Sequence, residues 1–437
     1  MNMKRRILEQ LVAWKNQEGR MPLIVNGARQ IGKTHIISEF GANEFADTVY
    51  VNLETNPVVR DYFEGDISPK TLLPLLENYT GKRIIAGETL LFLDEIQASE
   101  RALTSLKYFC ELAPEYHVVA AGSLLGIAIN REKYSFPVGK VDEMNMYPLD
   151  FEEFLWAMNK NILCEKIKEH YAELKPMDDA WHNAALDMYN LYCIVGGMPA
   201  VIEDYKKNNS FLTIRDVQGK ILNEYISDMA KYAERATSIK IKACYNSIPA
   251  QLAKENKKFQ YKIVQKGGSA TIFGEALDWL MQAGIVHKCS RLEQAFMPIR
   301  VYQNFADFKI YMSDTGMLAM HSGIATQLIL SSLDVDNMFL GALAENFVAQ
   351  EFARKRYDLF YWKSEDTAEV DFVLQLETEI IPIEVKKGKR SRSRSMDIFK
   401  KKYNCPYAIR ISQKNFGFEN NIKSVPLYAV FCIVHSV

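Results

Sequence analysis

The sequence predicts an α/β fold in three regions: a parallel-sheet core at the amino end, a mainly helical middle, and a second α/β domain at the carboxyl end. Three observations carry that prediction. An apolar run at 23–26 leads through a glycine-bracketed loop into the helix-like HIISEF, the strand–loop–helix order of a parallel sheet. A second apolar run, TLLFLDEIQ at 89–97, shows no alternation, as a strand buried on both faces should read. Near the other end, AEVDFVLQLETEIIPIEVK at 368–386 reads as two strands meeting in a turn at Glu377 and Thr378.

Composition narrows the field. Of 437 residues, 48% are hydrophobic and 24% charged, ordinary values for a globular chain, which argue against disordered, collagenous or disulfide-stapled classes. The length suggests roughly two to four domains. With 53 Lys and Arg against 54 Asp and Glu the formal charge is -1, so any contact with nucleic acid must rest on a local patch. The seven cysteines stand singly, without a CxxC pair or a His at ligand spacing, and read as reduced thiols of a cytoplasmic protein. The amino terminus, MNMKRRILEQLVAWKNQ, is apolar at 7, 8, 11, 12 and 14, a helical spacing interrupted by charge and unlike a signal peptide. The late apolar run from Leu427 to Val434 has strand length, and no run approaches the roughly 18 residues of a membrane span. The expectation is an unanchored cytoplasmic protein.

The loop behind the first strand reads GARQIGKT: Gly27, four residues, then Gly32, Lys33 and Thr34. This is the GxxxxGK[ST] phosphate loop in its required setting. Gly27 and Gly32 let the backbone curl so that successive N–H groups point inward at a phosphate, and the helix that follows adds its positive end. Lys33 has the reach to meet the β and γ phosphates, and the Thr34 hydroxyl suits a magnesium ligand. The expected nucleotide-contacting run is Gly27, Ala28, Arg29, Gln30, Ile31, Gly32, Lys33, Thr34 and His35, with ATP and Mg2+ as cofactors.

The 89–97 run places Asp94 and Glu95 at a strand end. Carboxylates at the carboxyl end of a parallel strand sit beside the ligand crevice of an open α/β sheet. Asp94 suits the magnesium shell, and Glu95 the activation of water for attack on the γ phosphate. A helix-like stretch from Arg101 to Leu112 then leads to HVVAAGSL, 117–124, another apolar strand ending in a small polar group.

With these runs the chain resembles the AAA+ ATPases, and more narrowly the prokaryotic ATP-binding proteins that join such a module to a carboxy-terminal domain of unknown function. In such proteins a polar residue ending the strand between the two motif strands senses the γ phosphate and positions water, and Ser123 matches that place. YPLDFEEFL, 147–155, and LYCIVGGMP, 191–199, look like the same family and mark the exit from an ATPase core spanning 1–155. One position departs from the family: PVGKV, 137–141, carries Lys140 where an arginine able to touch a nucleotide is expected. Lysine cannot copy the bidentate fork of arginine, so the arginine finger stays unassigned, with Arg29 and Arg131 as open candidates. AAA+ chemistry generally works at subunit interfaces, so the resemblance implies a homo-oligomer, a monomeric or transient form remaining open.

From 156 to 330 the pattern is mainly helical, as in Asp187–Ile194 and Val217–Met229. The helix-like IKIKACYNSIPAQLAKE, then TIFGEALDWLMQ and a strand after Gly284, is the succession of a winged helix-turn-helix. Its second helix carries Glu275 and Asp278 and no basic residue, so contact with DNA and contact with a protein both stay open.

In the carboxy-terminal hairpin, pairing outward from the turn sets Asp371 opposite Glu384 with Cβ atoms about 5 Å apart. Like charges so placed invite a divalent cation or a raised pKa. Lys386 shares that face, while Ile383 and Val385 take the core side. A carboxylate pair plus a lysine is the equipment for metal-assisted phosphodiester cleavage. The constellation resembles the PD-(D/E)xK nuclease superfamily: Asp371, Glu384 and Lys386 match its D, E and K, and Glu345 in LGALAENFVAQEF its preceding helical acid, although Val370 replaces the leading proline. The resemblance implies a restriction-endonuclease-like α/β domain over 338–437 in which Glu345, Asp371 and Glu384 hold a second divalent cation, Mg2+ or Mn2+. A charged hairpin, or a degenerate domain that does not cut, fits the same residues.

The segment 386–403 adds nine basic residues against Asp397 alone, a local excess that suits a phosphate backbone or a solvated loop. Tyr361 and Trp362 could stack on a base, although a strand core fits them better. Two functions compete: an ATPase whose nucleotide state controls a DNA-directed, nuclease-like domain, and a nucleotide-dependent switch that binds a protein partner without cleavage. A membrane role is not expected.

Overall fold

The computed structural model describes residues 3–123, 136–330, 338–364, 368–386, 388 and 394–433. The chain divides into two compact units, one formed by Arg5–Tyr147 with Gln282–Gly284, the other by Met1–Lys4, Pro148–Met281 and Ile285–Val437.

The first unit is built on β1 (Leu23–Asn26), β2 (Asp47–Asn52), β3 (Thr89–Asp94), β4 (His117–Gly122) and β5 (Asp142–Asn145). All pair in parallel, in the order β2-β3-β4-β1-β5. β3 and β4 are buried at every residue, which is why their sequences read as unbroken apolar runs. The Glu100–Leu112 helix starts at Ser99, whose hydroxyl accepts the Ala102 N–H at 3.1 Å, and buries Leu103, Leu106 and Phe109. The register aligns the carboxyl ends of the strands, Asn26 beside Gly122 and Asn52 beside Asp94, so the residues that follow β1, β3 and β4 share one edge.

In the second unit, helices Phe151–Ala157, Asn161–Glu173, Asp179–Val195, Pro199–Asn208, Phe211–Tyr232 and Arg235–Leu252 come first. A single turn, Tyr261–Val264, and the Ala270–Gln282 helix lead to the antiparallel strands β6 (Val286–Leu292) and β7 (Gln303–Met312). The sequence reading separates the middle region from the carboxy-terminal region, whereas the structure joins them. A two-stranded ribbon leaves an open edge; here β8 (Phe360–Lys363) pairs in parallel with β6, and β9 (Glu369–Val370) pairs with β8. The Met338–Arg354 helix packs on β6 and β7 and is buried from Ala342 to Phe352.

The last sheet contains β10 (Phe372–Leu376), β11 (Glu379–Val385), β12 (Ala408–Ser412), β13 (Gly417–Glu419) and β14 (Ile422–Pro426), in the order β10-β11-β12-β14-β13. Phe372 faces Ile383 and Leu376 faces Glu379, the register obtained by counting outward from Glu377 and Thr378. Glu377 makes that turn in the left-handed region, with φ of 51°, without the usual glycine. Leu427–Cys432 forms a 3-10 helix rather than a strand. Among the described residues no single helix is long and apolar enough to cross a membrane.

Candidate functional site

Gly27 ends β1 with φ of 149°, and a Cβ there would lie 2.3 Å from the Met146 carbonyl oxygen and 2.5 Å from Ile31 Cδ1, so only glycine fits. Gly32, at φ 92°, starts the Lys33–Glu44 helix, and Gln30 is also left-handed at 65°. Ala28 and Ile31 are buried and anchor the loop. Arg5 donates to the Ile31 carbonyl at 3.2 Å and to the Tyr147 carbonyl at 2.6 Å, tying the loop to the end of its unit. Lys33 folds back over the loop, Nζ donating to the carbonyls of Gly27 at 2.7 Å and Ala28 at 2.8 Å.

Asp94 is buried, and both its oxygens are engaged. Oδ1 accepts the Glu95 N–H at 3.0 Å, while Oδ2 accepts the Thr34 hydroxyl at 2.9 Å and the Tyr50 hydroxyl at 3.0 Å. An aspartate oxygen against a threonine hydroxyl beside a phosphate loop is a hard-oxygen donor set that fits Mg2+. Glu95 sits at φ 52°, an uncommon conformation for a residue with a side chain and one found at functional sites. Its Oε2 accepts from the Gln97 amide and, at 3.4 Å, from the Ser123 hydroxyl. β4 runs between β1 and β3, which carries Ser123 to this point.

The other residues singled out in this unit have ionic partners of their own. Arg29 is 3.8 Å from Glu54, exposed His35 is 4.0 Å from Glu39, and Lys140 pairs with Glu111 at 3.0 Å. Arg131 lies outside the described residues. Tyr50 and Gln97 went unread in the sequence. The alternation of DTVYVN was the available signal, because it places Tyr50 and Asn52 on one face of the strand next to β3.

The structure also gathers Glu345, Asp371, Glu384 and Lys386. Asp371 Oδ2 accepts the Val385 N–H at 2.8 Å, and burial together with the nearby Glu345 pushes its carboxyl up to about 6. Lys386 is 3.1 Å from Glu384 Oε1, and Arg410 is 3.8 Å from Oε2. Glu345 is buried, bonded by Lys257 and reached by the Tyr311 hydroxyl at 3.3 Å. Lys309, also buried, is 2.6 Å from Glu369, whose carboxyl Lys309 and Lys363 hold below its ordinary range against the opposing effect of burial. Among the described residues no group of three or more His, Cys, Asp or Glu is arranged to hold a metal ion. Of the acids expected to bind a second cation, Glu345 and Glu384 are instead paired with protein cations, and Asp371 with the Val385 N–H. Lys257, Lys309 and Glu369 were not anticipated, although a lone lysine inside the apolar strand FKIYM was a signal.

Residues 387 and 389–393 of the basic segment lie outside the described residues. Its Arg394–Tyr403 helix buries Met396 and Phe399 and exposes Arg394, Lys401 and Lys402. Tyr361 and Trp362 are core residues, 2% and 1% exposed, which leaves neither ring open to a base.

Residues 19–155 match a family model described as AAA domain. Residues 186–328 and 340–430 match models described as domains of unknown function, DUF8612 and DUF4143 respectively. No curated protein sequence matches the chain. Among solved structures it is similar to a Walker-type ATPase of Pyrococcus abyssi, at 12% identity and a TM-score of 0.45, covering 73% of this chain and 96% of that one. It is similar to the ORC2 protein of Aeropyrum pernix in its ADPNP-ADP complexes, at 14% identity and a TM-score of 0.37, covering 78% and 92%. It is also similar to AMPPCP-bound DnaA of Aquifex aeolicus, at 12% identity and a TM-score of 0.28, covering 64% and 89%. The match to the AAA domain model covers the parallel-sheet core with its phosphate loop, and the residues there suit ATP and Mg2+ as ligands.

Proposed function

We propose that this chain hydrolyses ATP and uses the nucleotide cycle to control a DNA-directed, nuclease-like carboxy-terminal domain. The observation that carries the hydrolytic part is the meeting of Thr34, Asp94, Glu95 and Ser123 at one sheet edge beside the phosphate loop. The loop from Gly27 to His35 would bind the phosphates through its backbone, and Lys33 would exchange its two carbonyl partners for phosphate oxygens. Thr34 and Asp94 would hold Mg2+, which when bound draws charge from the γ phosphate. Glu95 would take the proton of the attacking water, with Ser123 orienting that water.

Several features support the remainder of this reading. The order Arg235–Leu252, Tyr261–Val264, Ala270–Gln282, then β6 and β7, is that of a winged helix. A buried helical acid, a hairpin bringing Asp371 toward Glu384, and Lys386 beside them suit a nuclease-like domain, and exposed Arg394, Lys401 and Lys402 suit a phosphate backbone. Seven unpaired cysteines support a cytoplasmic location. An assembled form, as a homo-oligomer or with a protein partner, would supply the missing arginine.

A second reading, a nucleotide-dependent interaction switch that does not cut, is favored by the cations already paired with the carboxy-terminal acids. The deciding experiment measures ATP turnover with and without DNA, and cleavage of linear, circular and single-stranded DNA, in the wild type and Asp371→Ala. DNA-stimulated turnover with Asp371-dependent cutting is expected. Turnover indifferent to DNA, without cutting, would leave the switch.

A further inference from the structure

The chain itself supplies cations to the acids of the carboxy-terminal cluster. Lys257 bonds Glu345, Lys309 and Lys363 meet Glu369 at 2.6 Å and 3.5 Å, and Lys386 and Arg410 meet Glu384 at 3.1 Å and 3.8 Å. With Asp371 among them, four carboxylates face five cationic side chains. A divalent ion would add charge to a cluster already neutralised, in a setting where burial leaves Coulomb interactions poorly screened.

We propose that Lys257 stands in the place of a divalent cation, its ammonium neutralising Glu345 and Asp371 and closing the acid cluster to metal in this conformation. This deepens the nuclease-like reading and rests on it. Lys257 differs from the other cations in where it comes from. Lys309 lies within the β7 ladder and Lys386 directly follows β11, whereas Lys257 comes from the irregular segment between the Arg235–Leu252 helix and the Tyr261–Val264 turn. That segment is held against β7 by the Lys258–Asp307 ion pair and by the Phe259 N–H donating to the Phe308 carbonyl at 2.8 Å, so the ammonium is placed by the fold. The Lys257 side chain is 17% exposed against 2% for Lys309, so it can leave without breaking a strand. Its charge also reaches Asp371, adding to those of Lys309 and Lys386 against the upward push of burial and of Glu345 on that carboxyl. One acceptor in the cluster is held only loosely: Glu384 is 5% exposed, and its Oε2 has Arg410 at 3.8 Å but no hydrogen bond. Withdrawal of Lys257 would remove the ion-pair partner of Glu345 and the excess positive charge of the cluster, leaving four carboxylates to four cations with Glu345 and Asp371 side by side, hard oxygen donors of the kind a divalent cation binds.

The test is Mn2+ binding to the full chain without nucleotide, followed by the electron paramagnetic resonance signal of the free ion. The wild type is expected to take up no ion whose binding depends on Asp371. Lys257→Met should gain such a site, binding about tenfold more tightly or better than the wild type, and adding Asp371→Asn should remove it. Lys257→Gln, which keeps the side-chain length but not the charge, serves if the Met variant melts abnormally. Asp371-dependent uptake by the wild type would overturn the proposal. So would the absence of a new site in a folded Lys257 variant. Failure of the nuclease-like reading would be seen separately, as an Asp371-dependent ion site in Lys257→Met that comes with no cutting of DNA.

Discussion

The Tyr50 hydroxyl donates to Asp94 Oδ2 at 3.0 Å, sharing that oxygen with the Thr34 hydroxyl at 2.9 Å. Tyr50 thereby holds the carboxylate that would face Mg2+, while its ring packs on Phe92 of the neighboring strand with centroids 5.2 Å apart. Tyr50→Phe keeps the ring and removes the donor. A hydrogen bond to a charged group contributes about 1.5–3 kcal/mol, and the Tyr50 side chain is too open to deliver the whole of it. The expected outcome is a several-fold higher Mg2+ requirement for binding a fluorescent ATP analogue, with little change in binding without Mg2+. An equal loss in both conditions would mean that Tyr50 only supports the strand.

Lys33 and Glu95 should separate binding from chemistry. Lys33→Ala removes the charge that would read the phosphates and should lower nucleotide affinity by about tenfold or more. Glu95→Gln keeps the volume and an oxygen acceptor, so binding should persist while turnover falls by about 100-fold. Equilibrium binding beside single-turnover hydrolysis measures both effects. Loss of binding in Glu95→Gln would assign Glu95 to the architecture of the β3 end.

The legible parts of this molecule are those where one local pattern fixes both conformation and chemistry. The phosphate loop is such a case, because Gly27 must be glycine to clear Met146 and Gly32 must be left-handed to start the helix. The hairpin register was legible too, since a two-residue turn leaves one pairing. The partners of the acids were hidden for the opposite reason. Lys257 is separated from Glu345 by 88 residues and Tyr50 from Asp94 by 44, and no spacing rule reaches across such intervals. The union of the middle and carboxy-terminal regions escaped the sequence because it depends on β6 accepting β8 as a neighbor 70 residues on, from Ser290 to Phe360.

His117 should make the first unit sensitive to acid. Its ring is buried edge-on against Phe45 and Trp14, with centroids 4.9 Å and 5.9 Å away. Burial, with the positive charge of Arg20, pulls its pKa from 6.5 down to about 4. The unfolded chain, with an ordinary histidine, binds the proton first, so the contribution of the neutral ring is complete above about 6.5 and lost as pH falls toward about 4. Urea unfolding at pH 7 and pH 4.5 should show a drop in the wild type that is smaller in His117→Phe. Equal drops would place the acid sensitivity elsewhere.

Asp314 should be among the most costly polar residues to remove. It is 3% exposed; Oδ2 accepts the Gly197 N–H at 2.6 Å, and Oδ1 accepts the Met317 N–H at 2.9 Å at the start of the Thr315–Ser322 helix. Gly197 in turn accepts the Leu149 N–H at 2.7 Å, and a Cβ on it would lie 2.0 Å from the Leu149 carbonyl oxygen. The two family-like runs, YPLDFEEFL and LYCIVGGMP, therefore meet backbone to backbone, with Asp314 closing the contact from a third segment. Burial pushes the Asp314 carboxyl up while the backbone donors pull it down, so its stability rests on those N–H groups staying in place. Asp314→Ala orphans two of them and strips a helix cap, an expected loss on the order of 2–4 kcal/mol. Asp314→Asn, which keeps an acceptor, should lose less, and Gly197→Ala should be at least as damaging as Asp314→Ala because backbone must move. Urea unfolding of the full chain, read on the transition of the second unit, would check the ranking. Asp314→Ala unfolding at the wild-type midpoint would show that water replaces the carboxylate without loss.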